Sequence, residues 1–539
     1  MRRLRLAVVV PATVGGLLAG LVPALAQPAQ AAPPAAAAGY DIPARYADQV
    51  LNWHRCTGDE LPATPPAGAE NIECATYTAP RDWDRPEDRI DITIAVSRLA
   101  ATGGEASASV LTNPGGPGAP GRIFPARLRN QDRLREHQEI IGFDPRGTGK
   151  STNITCGGAI GTGSSLDPRD RDRRNLNLIL DATKYAAKSC QKHSGELGPL
   201  INTYQTTRDI DLLRVLLGRE KINWVGYSAG TWLGAHYAQR FPEHTGRFVL
   251  DSATEFTTTW QRSFDWQPLG FERRWREDFL PWLAKYDSVY HFGTSGERAR
   301  RTYERVRAAL AKKPVELDGE QVGPNELDNA IAGMLYNKRS FPGLADYLVS
   351  VRTLTEGRAG AAEQASAERT VKARLREVAD FGPQPLMVPL DYDDAYDASF
   401  WTIPCNEGPW YGNRQSVIRQ SEVLGRHYPL LGWGWLIQPC IFWHNRPMPL
   451  QPVDGEGVPP VLIVQSEHDP ATPIEGARRA HRAFEGARML TITDEGDHGI
   501  YAGGNACADR VVENFLVAGE LPEDETSCPG MPLPVPEGA

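Results

Sequence analysis

Three residues of this chain have the types and surroundings to carry out acyl transfer: Ser228, Asp469 and His498. Ser228 lies in Gly226-Tyr-Ser-Ala-Gly230, after the apolar run Ile222-Asn-Trp-Val225 and before a helix-compatible stretch from Thr231 to Phe241. A strand feeding a glycine-flanked turn and then a helix holds a serine Oγ clear of its backbone, in a strained conformation, at a helix N-terminus. The flanking positions must be small for strand and helix to approach. A serine hydroxyl is a weak nucleophile at neutral pH, so it needs a base, and the base needs an orienting acid.

Both partners stand downstream in a workable order. The apolar run Val461-Leu-Ile-Val464 leads into Gln465-Ser-Glu-His-Asp469-Pro-Ala-Thr-Pro473, which puts Asp469 just past a strand end. Thr472-Pro473 reads as the cap and first turn of a helix reaching Phe484. Another strand ends at Thr493 and is followed by Asp494-Glu-Gly-Asp-His498-Gly499, a glycine-flanked loop from which an imidazole can reach the serine. Glu467, His468, Asp494 and Asp497 compete for these roles. Asp497 adjoins the histidine and has difficulty facing its Nδ1, and His468 adjoins the proposed acid. A tetrahedral intermediate also needs two backbone N–H donors. The residue after the nucleophile, Ala229, supplies one. The other is expected from Gly115-Gly116-Pro117-Gly118, after the Val110 strand, with Gly116 as the donor.

The elements that position these residues alternate. Strands are expected at Ile90 to Val96, Val110 to Thr112, Glu139 to Phe143, the elbow and Arg247 to Leu250, with a helix from Asp209 to Leu217 stopping at Gly218. Strand alternating with helix predicts a mostly parallel sheet covered on both faces. The pattern lapses between about 256 and 440, where the chain is strand-poor and carries amphipathic stretches such as Gly296 to Leu310 and Ala361 to Val378. Aromatic residues are frequent there, including Trp260, Phe264, Trp266, Phe271, Trp275, Phe279 and Trp282. They are expected to fill the core of a helical subdomain. A final helix is expected from Asp509 to Val517.

Composition limits the partners. The 539 residues carry a formal charge of −9, and the three arginines of the first five residues belong to an expected export signal, residues 1–31. Arg2, Arg3 and Arg5 precede an uncharged apolar run from Leu6 to Leu25 and a small-residue exit, Ala29-Gln-Ala31. Without that segment the chain is more acidic still, which argues against nucleic acid or an anionic membrane as the main partner. Residues 32–39 read as a disordered leader or short pro-segment. The eight cysteines all follow the leader and lack the spacing of a metal knuckle or a redox pair. Outside the cytoplasm they are expected to form disulfides, with sequential pairing the simplest arrangement: 56–74, 156–190, 405–440 and 507–528.

Five motifs occur in order: Asn113-Pro-Gly-Gly-Pro-Gly118, Asp144-Pro-Arg-Gly-Thr-Gly149, Gly226-Tyr-Ser-Ala-Gly230, Asp469-Pro-Ala-Thr-Pro473 and Gly496-Asp-His-Gly499. Together they resemble the serine exopeptidases of the α/β-hydrolase class that include proline iminopeptidases and secreted bacterial tripeptidyl aminopeptidases. The resemblance spans about 40 to 520. It implies an α/β-hydrolase fold whose core (40–255 and 441–539) is interrupted by a helical cap (256–440). It also implies removal of short N-terminal units by a triad of Ser228, Asp469 and His498, with Gly116 as an oxyanion donor. The chain departs from its relatives at Ala229, where many have an aromatic residue, and at Ala119-Pro120.

An aminopeptidase must bind a free α-ammonium, which a carboxylate near the cap does through charge-assisted hydrogen bonds. Glu407, in Pro404-Cys-Asn-Glu407, is the first candidate and Glu255 the second. Asp144 and Arg146 are expected to brace the loop beside the oxyanion hole. The expected protein is therefore a secreted, monomeric serine aminopeptidase acting on peptides with a free N-terminus, needing neither metal nor organic cofactor and binding no membrane once the signal is removed. A prolyl or dipeptidyl aminopeptidase, a secreted carboxylesterase and a catalytically silent binding protein are the alternatives.

Overall fold

Ten strands form the large sheet of the computed structural model, which describes residues 42–539 apart from 63, 162–164, 382–393 and 445–446. The expected export signal and the 32–39 leader lie outside the described residues. In chain order the strands are β1 (His54–Arg55), β2 (Glu73–Pro80), β3 (Asp91–Leu99), β4 (Ala108–Asn113), β5 (Gln138–Phe143), β6 (Ile222–Tyr227), β7 (Thr245–Asp251), β8 (Val461–Ser466), β9 (Arg488–Thr493) and β10 (Thr526–Pro529). Their spatial order is β1-β2-β3-β5-β4-β6-β7-β8-β9-β10. Pairing is parallel from β5 through β10 and antiparallel at the β1-β2-β3 edge. The fold is that of an α/β-hydrolase.

The period-two alternation of a strand explains how β6 serves both faces while remaining buried throughout. Trp224 points to one side, stacks on Phe248 of β7, and is covered by the elbow helix Ala229–Arg240, whose Tyr237 also stacks on Phe248. Val225 and Tyr227 point to the other side and join a cluster with Val249, Val464, Ile492 and Val512. Val512 belongs to the helix Ala506–Glu513. Two helices on opposite faces thus clamp the strand that presents Ser228.

No described residue between Asp251 and Val461 joins this sheet. That insertion is helical, with Gly296–Lys312, Pro324–Met334, Phe341–Glu356, Ala361–Phe381, Ala395–Asn406 and Arg414–His427 as its longer elements. Its core contains Phe271, Trp275, Phe279, Trp282 and Phe341. Trp260, Phe264 and Trp266 depart from the sequence expectation, because they face a cavity instead. The four disulfides join Cys56 to Cys74, Cys156 to Cys190, Cys405 to Cys440 and Cys507 to Cys528. Sequential pairing is therefore what the fold contains. The last of these ties the Ala506–Glu513 helix to edge strand β10, an element that the sequence pattern did not announce.

Candidate active site

The chain turns at the end of β6 so sharply that Ser228 sits at φ 55°, ψ −126°. A residue with a Cβ adopts such a conformation only at a cost of about 1–3 kcal/mol, and the surroundings must hold it there. They do. The Ser228 amide donates to the Asp251 carbonyl at 3.0 Å, tying the elbow to the end of β7. Gly226 permits the close crossing, since a Cβ there would lie 2.3 Å from the Gly230 carbonyl oxygen.

Asp469 and His498 meet beyond the ends of β8 and β9. Nδ1 of His498 lies 2.9 Å and 3.0 Å from the two carboxylate oxygens of Asp469, which is fully buried. Asp469 Oδ1 also accepts the Ala471 and Thr472 amides at 2.9 and 2.8 Å, so the carboxylate cannot rotate freely. A carboxylate only accepts, so the proton in this contact belongs to Nδ1 and leaves Nε2 as the acceptor. The edge of the Tyr336 ring packs perpendicular to the imidazole, 5.2 Å between centroids.

The histidine loop is fastened to the same strand ends as the elbow. Gly499 N donates to Ser252 Oγ at 2.7 Å. Ile500 N and Tyr501 N donate to Asp251, and the Tyr227 hydroxyl reaches the Tyr501 carbonyl. Ser252 also gives its carbonyl to Thr472 Oγ1 at 2.9 Å, which brings in the Asp469 loop. Asp251 and Ser252 therefore connect all three segments. Burial pushes the Asp251 carboxyl up to about 6, against the donors around it. The strand expected at Arg247 to Leu250 leads up to Asp251, and the sequence reading gives that residue no role. Its position beside the elbow strand was the available clue, since carboxyl ends of neighbouring parallel strands converge on one site.

Gly115 and Gly116 both lie at φ 102°. A Cβ on Gly115 would stand 2.8 Å from the Ser228 Cβ and from the Ala229 amide, so only glycine lets this loop lie against the elbow. The Gly115 amide is occupied by Asn113 Oδ1 at 2.9 Å. The Gly116 and Ala229 amides donate to no described residue, and both residues line the cavity that opens at Ser228. Trp260, Phe264 and Trp266 wall that cavity, with Glu255 among its lining.

This geometry can be set beside known proteins. A family model described as alpha/beta hydrolase fold matches residues 109–306, and one described as TAP-like protein matches 428–528. Tripeptidyl aminopeptidase of Streptomyces lividans is 32% identical over 508 residues, covering 92% of this chain and 89% of that protein. The chain belongs to the tripeptidyl aminopeptidase family of α/β-hydrolases. Serine protease Hip1 of Mycobacterium tuberculosis is 26% identical, covering 89% of this chain and 91% of its own. Carboxylesterase B of the same organism is 28% identical over 95% and 96%. The protein is a serine peptidase.

Within this tripeptidyl aminopeptidase relative, the two carboxylates considered for the substrate amine occupy different places. Glu407 is buried, accepts the Thr203 amide on one oxygen and Trp260 Nε1 at 2.6 Å on the other, and does not line the cavity. Burial pushes its carboxyl up to about 7. The indole of Trp260, which lines the cavity, bonds Glu407 from the cavity wall, and the expected first choice is not itself among the cavity lining. Glu255 does line the cavity, with Oε2 bonded to Trp266 Nε1 at 2.6 Å. Asp144 and Arg146 brace the loop that follows β5. Asp144 accepts the Arg122 and Lys150 amides, while Arg146 forms a two-pronged pair with Asp209, 2.6 Å on each arm.

Three of the four competing residues bond other partners. Asp497 accepts from Lys338 and Arg274, and Glu467 accepts the Asp494 amide. His468 Nδ1 lies 2.8 Å from Asp278 of the cap. This contact raises the His468 pKa above the usual 6.5, with burial opposing and Arg273 and Glu277 adding smaller opposed effects. The folded chain then holds this proton more tightly than the unfolded one. Its stabilisation is complete below 6.5 and is lost as pH rises through the raised value. Relative to His468→Gln, the parent is predicted to gain at most about 1 kcal/mol near pH 6, because the pair is partly exposed. Thermal melts of both proteins from pH 5.5 to 8.5 check this. A difference that does not vary with pH would refute it.

Proposed function

We propose that this peptidase is exported and removes tripeptides from free N-termini through an acyl-enzyme on Ser228. Ser228 Oγ attacks the scissile carbonyl carbon while His498 Nε2 takes the hydroxyl proton. The Gly116 and Ala229 amides receive the oxyanion, a contribution worth about 2.7–4 kcal/mol per donor in comparable sites. The imidazolium, steadied by Asp469, returns its proton to the leaving amine as the C–N bond breaks. Water then enters, gives a proton to the same nitrogen and attacks the ester. The second tetrahedral intermediate collapses to free the N-terminal fragment and restore the serine.

The observation that carries the exopeptidase reading is the cavity itself. It begins at Ser228 and is walled by aromatic rings, and a carboxylate held by an indole N–H stands among its lining. A peptide with its N-terminus inside places a cation against Glu255, whereas a continuing or acylated chain brings no charge to match it. The name of the Streptomyces relative supports three residues as the length of the released unit. Four disulfides support export, since such bonds persist outside the reducing cytoplasm.

Aminoacyl, dipeptidyl and tripeptidyl chromogenic substrates, each with free and acetylated N-termini, test both parts. The free tripeptidyl compound is expected to turn over fastest. Equal turnover of its acetylated form would remove the amine-recognition role. Glu255→Gln keeps an acceptor for Trp266 and loses the charge. It is predicted to lower kcat/KM for free-amine substrates by about 10- to 100-fold, the loss of one charge-assisted hydrogen bond, and to leave acetylated substrates unchanged. A carboxylesterase would instead hydrolyse simple acyl esters at rates indifferent to this substitution.

A further inference from the structure

Glycines at 496 and 499 bracket the Asp497-His498 pair, and such a loop has little conformational preference of its own. Its position must come from outside contacts. On the core side Ser252 and Asp251 bond residues 499–501, Ser466 Oγ of β8 donates to the Asp497 carbonyl at 2.7 Å, and the His468 amide donates to the Glu495 carbonyl at 2.8 Å. The cap holds the His498 amide and the Asp497 side chain. The His498 amide donates to the Tyr336 carbonyl at 2.8 Å. Asp497 Oδ1 accepts the Lys338 amide and Arg274 Nη2, each at 2.7 Å. The Lys338 ammonium pairs with Glu495 and donates to the Met531 carbonyl at 2.9 Å. Arg274 continues the cluster to Asp278 at 2.7 Å and to the Leu335 carbonyl at 3.3 Å. The side chains of Arg274, Lys338 and Glu495 are all under 5% exposed, so water does not substitute for these bonds.

We propose that Asp497, Lys338 and Arg274 are positioning residues for the general base: they fix the His498 imidazole through its backbone, and the cap is therefore a working part of the catalytic apparatus. The inference rests on His498 acting as the base. Loosening the cap side would leave the imidazole tethered through Asp469, the Gly499 side and the Ser466 bond to the Asp497 carbonyl, with the Asp497 side chain no longer held. The base would then spend less time aligned with Ser228, while the cavity that receives substrate keeps its walls. The expected signature is a fall in kcat at nearly constant KM, because a displacement of about 1 Å at a catalytic group costs on the order of 100-fold.

Asp497→Ala removes both contacts at once and is expected to lower kcat about 30- to 100-fold with KM within about twofold. Phosphonylation of Ser228 by a fluorophosphonate, which uses the same base, is expected to slow by the same factor. Asp497→Asn retains an Oδ1 acceptor and is expected to recover most of the rate. Arg307 supplies the comparison, since it bonds Asp328 at 2.8 Å and Asp167 at 2.8 Å within another buried cap cluster away from the histidine loop. Arg307→Met is expected to lower the thermal midpoint and leave kcat within about twofold of the parent. A folded Asp497→Ala enzyme with parental kcat overturns the proposal, as does an equal loss of kcat in Arg307→Met. If Asp497→Ala fails to fold, Arg274→Lys decides. It keeps the charge but cannot reach Asp278 and Asp497 together, and a parental kcat there also overturns the proposal. Ser228→Ala separates this from the triad reading: activity surviving in that variant defeats the triad, whereas its loss with unaffected Asp497 and Arg274 variants defeats only the positioning role.

Discussion

Ser228→Ala is expected to lower kcat by at least about 10⁴-fold and to abolish labelling by a fluorophosphonate, while the protein stays folded. The first part follows from the chemistry. Ser228 stands at the elbow against the Gly115-Gly116 loop, and loss of a triad nucleophile leaves only the modest catalysis that oxyanion donors and binding provide. The second part follows from the backbone. Alanine has a Cβ like serine, so it inherits the same strained φ of 55° and neither relieves nor adds to it. The Ser228 amide and carbonyl keep their bonds to Asp251 and Thr231. A change in thermal midpoint beyond that of an ordinary surface substitution, about 0.5 kcal/mol, is not expected. Persistent labelling of Ser228→Ala would place the nucleophile elsewhere and end the proposed mechanism.

The second large effect is expected at Asp469. Asp469→Asn should lower kcat by about 10⁴-fold, the size associated with the wrong histidine tautomer in a comparable triad. The local bonds dictate which tautomer results. Oδ1 is claimed by the Ala471 and Thr472 amides, so the asparagine oxygen must stay there. Its NH₂ then occupies the Oδ2 position, 2.9 Å from Nδ1, and two donors cannot face each other. Neutral His498 answers by moving its proton to Nε2, the nitrogen that the proposed mechanism needs as the acceptor. KM should change little, because Asp469 does not line the cavity. Steady-state kinetics together with the rate of serine phosphonylation measure this. A loss smaller than about tenfold would mean that another group orients the base.

The two experiments address residues that were legible before any fold was known, and there is a reason for that. A nucleophile elbow is a local object: its strand, its glycines and its helix are contiguous, and their constraints act over ten residues. The same holds for Asp469 and His498, each one loop beyond a buried strand, and for the disulfides, which close short stretches of chain. Element edges shifted by a few residues. The helix expected from Asp509 begins at Ala506, and the strand expected to end at Val96 continues to Leu99. The short edge strands β1 and β10 carried no alternation strong enough to read, because an edge strand is set by its one neighbour more than by its own pattern.

The amine-recognition residue shows the limit of such local signals. Glu407 and Glu255 are the same residue type near the cap, and their sequence contexts favoured Glu407. In the fold Trp260 bonds Glu407 outside the cavity lining, and Trp266 holds Glu255 among the cavity walls. Likewise nothing around Tyr336 to Lys338 or Arg274 marks those residues as neighbours of the His498 loop, since the contact joins segments more than 150 residues apart.

By itself the sequence determined the chemistry: a poised serine, an acid and a histidine in workable order, glycines where an oxyanion loop must lie flat, and an alternation that builds a parallel sheet. Periodicity and short-range sterics encode all of these. Only the tertiary structure decided which carboxylate lines the cavity, which aromatic rings form the cavity instead of the cap core, and which distant groups bond the histidine loop. Those outcomes depend on how side chains from distant segments compete for the same buried space and the same hydrogen-bond partners, and no single stretch of chain contains that competition.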